Sequence, residues 1–164
     1  LLSTRKEINM KLSENFSLNE LTKSQTATRR GISNQPPEEH LENLKALVEN
    51  VLQSIRDSKG QPIRVTSGYR SAKLNTAIGG SSKSQHSKGE AADFEITGVD
   101  NYELAEWIKS FVPEFDQLIL EFYTSGDQNS GWIHCSYSRE KNRKQVLTAS
   151  KENGKTVYHK GLVT

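Results

Sequence analysis

The sequence predicts an α+β domain. A helix-period segment lies in the first third of the chain, alternating β-prone segments crowd its last third, and a turn dipeptide, Asn153-Gly154, joins the final two of them. At 164 residues the chain is long enough for one domain with one core. Hydrophobic residues make up 33% and charged residues 26%, a balance ordinary for a soluble globular protein. The formal net charge of +2, from 22 basic and 20 acidic residues, excludes a strongly electrostatic strategy for nucleic acid. No apolar run approaches the roughly 20 residues of a membrane helix, so no membrane insertion is expected.

The opening, Leu-Leu-Ser-Thr-Arg-Lys, lacks the apolar core of a signal peptide. Residues 1–15 are expected to form a flexible extension, and residues 16–164 the single domain. Ser17-Leu-Asn-Glu20 is a capping-box pattern and predicts a short helix over 18–23. Residues 23–35 show no period and read as a long loop. Pro36-Pro37 followed by Glu38-Glu39 starts a helix, with acidic residues at the positive end of its dipole. Leu41, Leu44, Leu47, Val48, Val51, Leu52 and Ile55 carry that helix to about Arg56 on one apolar face.

A strand is expected over 62–67, and a short helix over 72–78 stops at Gly79-Gly80. After a polar loop, residues 91–96 form another short strand. Asp100 and Glu103 cap a helix whose apolar face is Leu104, Trp107, Ile108 and Phe111 and whose stop is Pro113. Residues 115–123 and 132–138 read as paired strands, and 145–150 with 156–160 as a hairpin about Asn153-Gly154. The basic run Arg139–Lys144 reads as a solvated turn.

The chemistry concentrates in Ser84-Gln-His86-Ser-Lys-Gly89-Glu-Ala91-Ala-Asp93. Seven residues of helix would separate His86 from Asp93 by about 10 Å of rise, so a turn at Gly89 into a strand must bring them together. On that strand Asp93 and Glu95 face one way, and Ala92, Phe94 and Ile96 the other. The same alternation puts Trp132, His134 and Ser136 on one side of the later strand. Cys135, the single cysteine, excludes an internal disulfide and a cysteine-rich zinc finger, so any metal is held by His and carboxylate. Two imidazoles and one carboxylate meet the ligand count of a catalytic zinc site with one open position.

Ser84-x-His86-x-x-Gly89-x-Ala91-x-Asp93 with Trp132-x-His134 resembles the zinc D-Ala-D-Ala carboxypeptidase family, and Ser67-Gly-Tyr-Arg70-Ser is similar to that family's active-site Arg segment. Phe16-Ser-Leu-Asn-Glu-Leu21 and Thr28-Arg-Arg-Gly31 resemble its phage and prophage branch. The resemblance implies the hedgehog/DD-peptidase fold, an antiparallel sheet with helices packed on one side. It also implies one Zn2+ per chain on His86, Asp93 and His134, with Arg70 stabilising the developing oxyanion. The implied substrates are peptidoglycan stem peptides. A monomer is expected, and the lack of a visible signal peptide leads to an expectation of synthesis in the cytoplasm with action at the cell wall.

One position departs from the commoner pattern. Gly131 and Trp132 stand where relatives often place the general base, so that role falls to Glu121, which shares a strand face with Gln117 and Ile119. Carboxypeptidase and endolysin types share this metal cage. A second reading from another class also stands: a non-catalytic zinc-containing module for cell-wall binding or assembly. A fourth protein ligand on the metal favours the module; Arg70 and Glu121 converging on the site favour the enzyme.

Overall fold

The computed structural model describes residues 10–164. Residues 1–9, most of the expected extension, lie outside that range. The rest of it does not behave as an extension: Lys11–Ser13 form β1, paired antiparallel with β2 (Phe16–Ser17), and Leu12 is buried in the core. The folded body therefore includes residues from Met10 onward.

The capping box forms as read. Ser17 accepts from the Glu20 amide and Glu20 reaches back to the Ser17 amide, starting α1 (Leu18–Thr22). The following stretch corrects the sequence expectation, because the supposed loop contains a helix, α2 (Gln25–Arg30). Ser24 caps it through the Ala27 amide, and Gly31 ends it in the left-handed region at φ +63°. With only Ala27 buried, α2 has no apolar period to betray it. The long amphipathic helix runs as α3 (Glu38–Leu47), passes through a π-helical stretch (Val48–Leu52) and continues as α4 (Gln53–Lys59). Its apolar positions from Leu44 to Ile55 are fully buried throughout.

Then follow β3 (Arg64–Ser67), α5 (Ala72–Ala77), a 3-10 turn (Gln85–Lys88), β4 (Ala91–Glu95) and α6 (Asn101–Phe111). Phe111 does not join the apolar face of α6 as expected. It is 65% exposed, with its ring beside Trp107. The chain closes with β5 (Gln117–Glu121), β6 (Trp132–Ser136), β7 (Gln145–Glu152) and β8 (Lys155–Lys160). The β7–β8 turn is the expected Asn153-Gly154, both at positive φ.

These strands form a six-stranded sheet in the order β3-β4-β6-β5-β7-β8. One face carries Ala92, Phe94, Ile133, Cys135, Leu118 and Leu120, all fully buried in the core shared with α3, α4 and α6. Burying side chains of this size is worth about 1.5–3 kcal/mol each, and a one-residue register slip would turn them all to the wrong face. The core therefore fixes Asp93, His134 and Glu121 on the opposite face.

The antiparallel expectation fails at one pairing, since β5 and β7 run parallel. From the end of β6 the chain crosses the start of β5 and re-enters on its far side, where Lys144 and Gln145 donate to the carbonyls of Phe115 and Asp116. The buried Asp116 carboxylate holds the crossing by accepting from the Arg143 amide, Nε and Nη2 at 2.8–3.0 Å. Part of the basic run is thus a structural clamp rather than a free turn.

Hydrogen bonds from Arg143 are the main cause holding the Asp116 carboxyl below its usual range. A depressed folded-state value means that this stabilisation is full above the unfolded value of about 3.9 and is lost as pH falls from there through the folded value. Asp116→Asn is expected to cost about 1–3 kcal/mol in urea melts at pH 7. Its deficit against the parent should shrink as pH is lowered below about 4. A deficit that stays constant down to pH 2 would show that the ionised pair is not the source.

Candidate metal centre

Three elements bring the predicted ligands together. The 3-10 turn, capped by Ser84 and closed by Gly89 at φ +73°, carries His86 inward until it is 2% exposed. A side chain on Gly89 would strike the His40 carbonyl on α3, so the tight approach there needs glycine. β4 carries Asp93, and β6 sets His134 directly opposite it. His86 Nε2 lies 3.4 Å and His134 Nδ1 3.0 Å from the same Asp93 oxygen, Oδ1. The three ligand atoms fall within 4.8 Å of one another.

The donor set fits zinc. A tetrahedral ion with bonds of 2.0–2.1 Å has edges of about 3.3–3.4 Å, close to the spacings seen. His86 Nδ1 lies 2.7 Å from the Gly68 carbonyl, which can only accept, so the proton sits on Nδ1 and the Nε2 lone pair faces the cluster. Burial lowers the His86 pKa, and the neighbouring Asp93 opposes it; a neutral ring is what a metal requires. Burial pushes the Asp93 carboxyl up, but the hydrogen bond from His134 and the close approach of the His86 ring outweigh that and hold it well below the usual carboxylate range. Among the described residues the cluster has three members, and no fourth His, Cys, Asp or Glu completes it.

Glu121 and Arg70, expected from sequence to work beside a metal, both lie close enough to the cluster to couple to its charges. Glu121 Oε1 is 3.8 Å from His134 Nδ1. Its carboxyl is pushed up to about 7 by burial first and the Asp93 charge second, with His134 and Arg70 opposing. Trp132 stands opposite Glu121 across β5 and β6, with its ring 5.3 Å from that of Phe122. The strand ends immediately after Glu121, where Phe122 takes φ +55° and Gly131 packs its Cα against the Glu121 carbonyl. Arg70 is half-buried; burial draws its pKa down while Asp93 and Glu121 oppose. Its Nε is buried with no hydrogen-bond partner among the described residues.

Glu95, which shares the site face by parity, instead pairs with Arg64 at 2.8 Å and accepts from Asn101. Two residues that sequence reasoning missed shape the centre. Gly68 supplies the carbonyl that fixes His86, and it sits so close to Leu21 that an added Cβ would lie 2.3 Å from the Leu21 oxygen. Asn34 donates to the carbonyls of Thr22 and Tyr69 and accepts from the Ser71 amide, stapling the α2 region to the segment that bears Arg70. Only the isolated Gly68 before Tyr69-Arg70 hints at this in the sequence.

A mixed α/β domain presenting such a His/His/Asp cluster, with a carboxylate and a guanidinium at its rim, suits a metallopeptidase. The family model for Peptidase M15 matches residues 14–136 of the 164, and the chain belongs to that family, whose members are zinc-dependent. Among curated proteins, none matches this chain.

Proposed function

We propose that this chain is a zinc peptidase that cleaves a peptide bond in peptidoglycan stem peptides, with His86, Asp93 and His134 holding the ion and the hedgehog/DD-peptidase arrangement around it. Bound there, zinc would supply a Lewis acid carrying one net positive charge and would lower the pKa of water at the open position. Glu121 takes the proton of the attacking water and passes it to the leaving nitrogen. Arg70 donates to the carbonyl oxygen as negative charge develops on it.

The observation that carries this reading is Glu121 at 3.8 Å from His134, beside a three-membered cluster rather than within it. A structural zinc in a binding module needs four ligands and has no use for a base at its edge. Digestion of purified peptidoglycan with mass analysis of the released fragments tests activity and bond choice together, and separates carboxypeptidase from endolysin-type cleavage. Full zinc occupancy with no fragment released from a broad set of walls would favour the module.

Arg70→Ala should retain zinc and lose about 10²–10³-fold in turnover, the usual cost of removing one oxyanion donor. Turnover close to that of the parent would remove Arg70 from the mechanism.

A further inference from the structure

A groove of about 1210 Å3 opens beside the candidate centre and reaches it at Arg70. The three candidate ligands do not line it. Contact with the centre is through Arg70 and through Ser67, which lies opposite Asp93 in the sheet. One wall is α2, the helix hidden in the apparent loop, and the other is β3. The volume exceeds the roughly 300–1,000 Å3 of small-molecule sites and suits a chain of several residues.

Two independent features describe the occupant. The first is charge. Among the described residues the lining holds Lys23, Arg29, Arg64 and Arg70 and no Asp or Glu, in a chain whose basic and acidic residues number 22 and 20. Arg64 is answered by Glu95, but Lys23 and Arg29 are exposed and make no ion pair among the described residues. The second is the sheet edge. β3 is the outermost strand and pairs only with β4, and all four of its residues line the groove. An unpaired strand edge recognises an extended backbone by adding it as a further strand.

We propose that this groove binds the acidic portion of the peptide substrate, an extended segment whose carboxylates face Lys23 and Arg29 and whose backbone runs along β3 toward Arg70. The inference rests on the peptidase reading and adds to it where substrate lies and what it must carry. The motif Thr28-Arg-Arg-Gly31 acquires a use here, since Arg29 is presented on the groove side of α2.

The test measures binding by calorimetry to the zinc-loaded full chain carrying Glu121→Gln, so that peptide is not consumed. The probes are a synthetic stem peptide with free carboxylates and the same peptide with those groups as carboxamides. The carboxylate form should bind more tightly. Adding Lys23→Glu and Arg29→Glu should weaken it about tenfold and abolish the preference, with zinc content unchanged. Equal affinity for the two peptides, no binding of either, or indifference to the charge reversals overturns the proposal. If the reversed variant melts early, Lys23→Gln with Arg29→Gln serves instead, with a loss of about threefold expected. Charge-dependent binding of a peptide that the parent never cleaves would sink the peptidase reading and leave the groove standing. Cleavage with KM unchanged by the reversals would do the opposite.

Discussion

His86→Ala is expected to abolish zinc retention and with it hydrolysis. His86 is the most enclosed of the three candidate ligands, 2% exposed, and its ring is already oriented by the Gly68 carbonyl. Alanine there leaves Asp93 and His134 as a two-point site, too few for a zinc ion to be held tightly. A metal present at a hundredfold excess over its Kd stabilises the folded state by about 2.7 kcal/mol. For a domain of this size that corresponds to a fall in Tm of roughly 5–10 °C in the variant. Chelator-treated parent should melt where the variant does, and zinc should restore only the parent. Unchanged metal content and melting in His86→Ala would show that the ion is held elsewhere.

The second large effect is expected at Glu121. Glu121→Gln keeps the size of the side chain and its hydrogen-bonding oxygen but cannot take a proton, so turnover on stem peptides should fall by about 10²–10⁴-fold. Zinc content and peptide affinity should stay at parent values, because Glu121 lies outside the three-membered cluster. The nearby Asp127 offers no substitute: it is exposed in a turn, where its carboxylate accepts from the Asn129 amide. Parent-like turnover in Glu121→Gln would assign the base to another group. Loss of zinc in this variant would instead make Glu121 a ligand and favour a closed site.

Of the groups named from sequence, Asp93, His134 and Glu121 were legible because each lies on a strand where alternation with buried neighbours is a local pattern. Phe94, Ile133 and Leu120 declare the core face, so the adjoining residues must take the other. The capping box at Ser17 and the Asn153-Gly154 turn were legible for the same reason, since each is written within four residues. Helix α2 was not. Six residues with one buried position carry no period, and its two caps are visible only once the helix is known.

By itself, then, the sequence determined the kinds of element, the faces of the strands and the residue types offered to a metal. Tertiary structure alone decided the rest. The parallel pairing of β5 with β7 depends on a crossing that Asp116 and Arg143 hold from 27 residues apart, and no local period encodes it. The orientation of His86 depends on the carbonyl of Gly68, and a backbone oxygen has no side-chain signature. The groove exists because Asn34 ties the α2 region to the Arg70 segment, leaving the free edge of β3 as its other wall. Such contacts join residues far apart in the chain, and their energy is returned only after the loops between them have closed.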